Sequence, residues 1–201
     1  MASFTILAVC TGNICRSPFA EQLLHIELRD IPGVRLRSAG TNALVSAPMT
    51  PEAKQIATKH GVAHPDAHIA RQLREVDVRE ADLILAMARE HRRAVVEIYP
   101  RASRKTFTVR EFARLADVVA DGVSNANAPL LTESAADRIR DGVEVIASMR
   151  GSLAPLDDPL DDDVVDPFRR SLEVYAQSAS QLVPAVRSTA DLLRRSAFGS
   201  L

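Results

Sequence analysis

Strand-like and helix-like segments alternate along this chain, and that alternation limits its folds more than any other feature. Phe4-Thr-Ile-Leu-Ala-Val9 is a short apolar run that reads as a buried strand. After a polar loop, Ser17-Pro18 supplies a helix-capping residue followed by proline, and Phe19, Leu23 and Ile26 recur at helical spacing to about Leu28. Val34–Ser38 is the second strand candidate. Thr50-Pro51-Glu52 opens a helix that Gly61 should stop. Asp82–Met87 reads as a third strand, Arg89–Ile98 as a helix and Thr106–Val109 as a fourth strand. Such βαβα order predicts an α/β fold, a parallel sheet covered by helices and joined by right-handed crossovers.

The rest of the chain is expected to be mostly helical. Arg110–Met149 reads as helix with a polar break around Asn125-Ala-Asn127, followed by an acidic, proline-containing stretch from Pro155 to Asp166. Beyond it Phe168, Leu172, Tyr175, Ala179, Leu182 and Val186 form a helical stripe, kinked or broken at Pro184, which has no N–H. We read one domain over residues 1–201 with a helical insertion at about 113–155.

Composition removes several function classes. With 25 basic and 26 acidic side chains the net charge is −1, and aromatics make up 4%, so neither the field nor the stacking surface of a nucleic-acid binder is present. No apolar run approaches the roughly 18 residues of a membrane span, and no basic-then-apolar leader opens the chain. Two cysteines, Cys10 and Cys15, cannot staple 201 residues, so a reducing cytoplasm is the expected compartment.

Those cysteines lie in the most informative segment, Cys10-Thr11-Gly12-Asn13-Ile14-Cys15-Arg16-Ser17, between the first strand and the first helix. Ligands of parallel sheets bind at such strand-to-helix loops, where unpaired N–H groups and the helix dipole favour an anion. Gly12 and Asn13 tolerate the left-handed conformations that wrap a loop around phosphate, and the planar fork of Arg16 can hold two of its oxygens. A nucleotide P-loop would end in Gly-Lys-Ser/Thr, which is missing. Instead a thiol stands first and an arginine six positions later. A helix N-terminus and a cation favour the thiolate, and Ser17 could cap the helix and donate to that sulfur. A lone Cys10 would read as a small buried hydrophobe, but Cys-x5-Arg-Ser before a proline-initiated helix is far more specific.

The segment resembles the low-molecular-weight protein tyrosine phosphatases, with their Cys-x5-Arg-Ser/Thr-Pro signature. The likeness continues in Ser38-Ala-Gly-Thr41, His68-Ile-Ala-Arg-Gln-Leu73, Asp82–Met87 and Asp163-Val-Val-Asp166-Pro167-Phe168, in the family's order. The resemblance implies a three-layer fold, a four-stranded parallel sheet in the order 2-1-3-4 with helices on both faces. It implies a metal-free, cofactor-free hydrolysis with Cys10 as nucleophile and Asp166 as general acid and base. Residues 11–17 with Arg16 would bind phosphate, Asn13 would bond Ser38 to hold the loop, and Cys15 would be a redox partner of Cys10. The implied partners are phosphotyrosine proteins, a bacterial tyrosine autokinase being the first to test.

The match departs in three places. Ala88 stands where the family often has aspartate, the Asn42-Ala-Leu-Val45 loop lacks an aromatic wall, and the stretch before the Asp-Pro loop is longer than in compact members. The alternatives are a protein-arginine phosphatase, whose branch has threonine at the position of Ile14; a thioredoxin-coupled arsenate reductase, which needs two further cysteines; and an inactive phosphate-binding scaffold. Other apparent motifs read more plainly: His60, His64 and His68 as loop histidines, the basic stretch Arg89–Lys105 as a helix surface, and the six aspartates of Asp157–Asp166 as a solvated loop. Like-charge repulsion among those carboxylates is expected to favour the protonated form of Asp166, and Asp158-Pro159 reads as a solvated turn.

Overall fold

The computed structural model describes residues 2–122 and 134–199. Strand β1, Phe4–Cys10, is buried along its whole length. It pairs in parallel with β2, Val34–Gly40, on one side and β3, Leu83–Ala86, on the other, and β4, Thr106–Thr108, joins β3. The order is β2-β1-β3-β4, the four-stranded parallel sheet expected from the resemblance. The chain therefore leaves β1 toward one edge and later returns to its other side. The crevice at the C-terminal end of β1 is the switch point where such sheets bind ligands.

Alternate residues of the strands enter two separate apolar clusters. Phe4, Ile6, Ala8, Leu83 and Leu85 face one, packed by α1 (Arg16–Glu27), α2 (Pro51–Lys59), α5 (Val109–Gly122), α6 (Ala135–Met149) and α7 (Leu172–Phe198). Leu7, Val9 and Ile84 face the other, with Val78 of α3 (Glu75–Glu80) and Val95 of α4 (Arg89–Ile98). The central strands β1 and β3 are buried along their whole length, which is why they read as continuous apolar runs, whereas edge strand β2 alternates with exposed Arg35 and Arg37. The α3 turn had no sequence expectation; at six residues it is too short for a periodic signal.

Helix starts follow local chemistry, with one correction. Thr50 caps α2 by accepting from Ala53 N at 3.3 Å, with Pro51 first in the helix, and Gly61 follows its end in the left-handed region at φ +89°. Helix α1 instead begins at Arg16, with Cys15 as an N-cap whose side chain makes no capping bond. Ser17 therefore lies inside the first turn, and its hydroxyl is spent on other partners. Pro18 remains in that turn, where its missing N–H costs nothing.

Helix α7 runs unbroken through Pro184, with Tyr175, Ala179, Leu182, Val186, Ala190, Leu193 and Ala197 as its buried stripe. Phe168 does not belong to that stripe; it sits exposed in the preceding turn, before Arg169 at φ +59°. Helices α5 and α6 occupy the long segment before the acidic loop, and Phe112, Leu115, Ile139, Val143 and Ile146 join them to the core beside α7. The break expected at Asn125–Asn127 lies outside the described residues.

Gly40 closes β2 opposite Cys10. A Cβ there would collide with the carbonyl oxygen of Thr11 and come within 2.9 Å of Ala43 Cβ. The backbones of β2 and the Cys10 loop touch because no side chain intervenes. Gly40→Ala should lower the urea unfolding midpoint by the equivalent of about 1–3 kcal/mol. An unchanged midpoint would contradict this close approach.

Candidate active site

The loop after β1 is tied outward at every carbonyl. Cys10 O accepts from Thr41 N at 2.9 Å, Thr11 O from Asn42 N at 3.0 Å and Gly12 O from Leu44 N at 3.0 Å. Asn13 O accepts from His68 Nε2 at 2.7 Å, Ile14 O from Thr50 N at 3.0 Å and Cys15 O from Phe19 N at 3.3 Å. In a trans peptide the N–H points opposite to the carbonyl. Pulling the carbonyls out therefore turns the N–H groups of residues 11–16 inward, and Asn13 N reaches Cys10 Sγ at 3.3 Å. The result is a ring of donors around a sulfur at the mouth of a helix, a nest for an oxyanion.

Asn13 holds this shape. Its side chain is fully buried and its backbone is left-handed at φ +55°, a conformation asparagine accepts at little cost. Oδ1 accepts from Arg71 N at 2.9 Å, which fixes the amide orientation; Nδ2 then donates to Ser17 Oγ at 2.9 Å and Ser38 Oγ at 2.8 Å. Each hydroxyl accepts from the amide and keeps its own hydrogen to give. Ser17 Oγ lies 2.9 Å from Cys10 Sγ, free to donate to it, and Ser38 donates to Glu21 Oε2 at 2.6 Å. Burial raises the Glu21 carboxyl above its ordinary range. Cys10 thus receives a hydrogen from Asn13 N and has the Ser17 hydroxyl within reach as a second donor.

Arg16, only 4% exposed, links this loop to the acidic one. Nη1 donates to Val164 O at 3.0 Å and Nη2 pairs with Asp166 Oδ2 at 3.0 Å. Nε is buried without a partner among the described residues. The guanidinium therefore keeps one donor unpaired while holding Asp166, itself 53% exposed, by its other end. Asp158 is elsewhere, its Oδ1 accepting from Leu160 N at 2.9 Å.

Two sequence readings need correction. The aspartate run is not simply a solvated loop, because Asp162 is forked by Arg114 and Asp163 accepts from Arg89 N. Nor are the histidines merely scattered. His68 supports the loop at Asn13 O, which requires the hydrogen on Nε2, while His60 packs against Phe19. His91, which carried no sequence expectation, meets Thr11 Oγ1 through Nε2 at 2.8 Å.

Cys15 faces away from the donor ring, 3.5 Å from Thr50 Oγ1 and 3.7 Å from Tyr175 OH. Burial pushes its thiol up to about 11, so at neutral pH it is a protonated packing group.

Residues 5–125 match the sequence model of the family described as low molecular weight phosphotyrosine protein phosphatase. The low molecular weight protein-tyrosine-phosphatase Etp of Escherichia coli (strain K12) is 45% identical over 102 residues, which span 51% of this chain and 66% of that relative. A protein-arginine-phosphatase of Geobacillus stearothermophilus is 39% identical over 109 residues, 54% of this chain and 71% of its own. Among solved structures, the Erwinia amylovora tyrosine phosphatase AmsI aligns with a TM-score of 0.65 and 26% identity, covering 95% of this chain and 93% of that one. The structural likeness thus extends past residue 125, where the family match ends.

His91 generates a pH prediction. Burial, aided by Arg16, drives its pKa from 6.5 down to about 3, so the folded protein keeps it neutral. The unfolded chain binds the proton first, so this contribution to stability is whole above pH 6.5 and drains as pH falls toward 3. Burial lowers His25 and His68 in the same direction. Urea midpoints should therefore fall from pH 7.5 to pH 5, and fall less in His91→Gln. Equal slopes for both proteins would contradict a buried neutral His91.

Proposed function

This chain belongs to the low molecular weight phosphotyrosine protein phosphatase family, and on that premise we propose that it hydrolyses phosphotyrosine in proteins through a phosphocysteine intermediate. The observation that carries the reading is the outward tying of the loop carbonyls, which leaves inward N–H groups around Cys10 Sγ. In the first step the Cys10 thiolate attacks phosphorus, the bond to the tyrosine oxygen breaks, and Asp166 delivers its proton to that oxygen. The N–H groups of residues 11–17 and Arg16 stabilise the equatorial oxygens. In the second step the Asp166 carboxylate takes a proton from water, which displaces the sulfur and releases phosphate. The acid returns to its starting protonation and Cys10 to thiolate.

Several features bear on the competing chemistries. Ile14, buried at 5% exposure, offers no hydroxyl of the kind expected for phosphoarginine, although relatives carry that activity in their names. A disulfide relay for arsenate needs cysteines the chain lacks, since it has two. A scaffold role would leave the reach of Asp166 over the loop unused. Cys15 is proposed as a resolving thiol for oxidised Cys10, one that must first leave Thr50 and Tyr175. The proposed partners are phosphotyrosine proteins of the cytoplasm, a bacterial tyrosine autokinase first among them. Among the described residues no helix is long and apolar enough to cross a membrane.

Removing a general acid costs about 10²–10⁴-fold, and most when the leaving group is poor. Asp166→Ala should lose that much on phosphotyrosine peptides and far less on p-nitrophenyl phosphate, while Asp158→Ala stays near wild type on both. An exchange of these behaviours would overturn the choice of acid. The wild type should prefer phosphotyrosine to phosphoarginine, and Ile14→Thr should narrow the preference. Wild-type preference for phosphoarginine would move the protein to the other branch.

A further inference from the structure

The loop that delivers Asp166 is pinned residue by residue, and two of the pins come from the helical segment between β4 and that loop. Arg114 of α5 forks Asp162, with Nη2 at 2.9 and 3.1 Å from the two carboxylate oxygens and Nε at 3.2 Å. One helical turn earlier, Arg110 Nη1 donates to Asp163 O at 3.0 Å. Asp163 Oδ1 accepts from Arg89 N at 2.7 Å, at the start of α4. Val164 N donates to Met87 O at 2.8 Å, just past β3, and Val165 N to Gln181 Oε1 of α7 at 2.9 Å. Only then does the chain reach Asp166, whose sole ion pair among the described residues is the one with Arg16.

Helix α5 is a firm platform for such pins. Phe112, Leu115 and Val119 anchor its apolar side in the core, and Glu111 ties it to Arg150 at 2.9 Å, beyond α6. Arg110 and Arg114, four residues apart, share one face of the helix and meet adjacent residues of the acid loop. The pins differ in kind. Those at Val164 and Val165 use β3 and α7, elements that form the site itself, whereas those at Asp162 and Asp163 O use side chains of α5.

We propose that Arg110 and Arg114 are positioning residues for the general acid, so that the helical segment before the acid loop sets how Asp166 stands over Cys10. This rests on Asp166 being the acid. Arg110 holds the acid loop by a backbone carbonyl and Arg114 by the Asp162 carboxylate, so loosening them should spare attack on phosphorus and impair proton delivery. A misplacement of about 1 Å can cost on the order of 10²-fold, and a partly buried pair that shares the loop with other pins should cost less.

The test uses the full chain, with thermal melts for every variant. Arg114→Gln and Asp162→Asn should each lower kcat on a phosphotyrosine peptide about tenfold with KM little changed, and lower it far less on p-nitrophenyl phosphate. The reversed pair Arg114→Asp with Asp162→Arg should recover most of the loss. Equal losses on both substrates, or no loss, would overturn the proposal; if one single variant does not fold, the other carries the comparison. Asp166→Ala is measured alongside. Without leaving-group selectivity in that variant the acid assignment fails and takes this proposal with it. With it, unselective Arg114 and Asp162 variants overturn the positioning role alone.

Discussion

One buried amide, that of Asn13, joins the backbone of Arg71, the hydroxyl of Ser17 and the hydroxyl of Ser38, and through those hydroxyls Cys10 and Glu21. Its own residue supplies the left-handed turn that lets the loop curl, and its carbonyl is held by His68. A buried polar group left unpaired costs roughly 1–3 kcal/mol, so the network stands or falls as a unit. The consequence is electrostatic. With carbonyls fixed outward, the donors that face a phosphate need no rearrangement when charge builds on its oxygens, which is the condition for effective transition-state stabilisation.

Arg16 extends that order to the other half of the chain. One guanidinium touches Val164 O and Asp166 and keeps a buried Nε without a partner among the described residues, so the proposed anion binding and acid placement would share a single rigid group. Lysine, with one compact ammonium, could not span these contacts. The acid loop is in turn borne by α4, α5 and α7, which ties helices distant in sequence to the chemistry at β1.

What the sequence revealed follows the range of the interactions. The central strands were legible because both of their faces are buried, and Cys10, Arg16 and the turn-forming Asn13 because they lie within one loop of fixed covalent spacing. The strand order came from the family resemblance, not from periodicity. Contacts across the fold were hidden. His68 and His91 reach the loop from 55 and 80 residues away, and nothing in their neighbours marks them. The run of aspartates looked solvated because its arginine partners lie 48 and 74 residues upstream. Ser17 was misread as a cap for a local reason: the helix starts at Arg16, and the serine hydroxyl finds a better partner in the thiol.

The central claim is that the donor ring exists to make Cys10 a nucleophile toward phosphorus. Rapid acid quench of the wild-type protein during turnover of a phosphotyrosine peptide, followed by peptide mass spectrometry, tests it directly. The account predicts a phosphoryl adduct on Cys10 that forms in a burst and is absent from Cys10→Ser. Steady turnover by Cys10→Ser, or an adduct on any other residue, would contradict it.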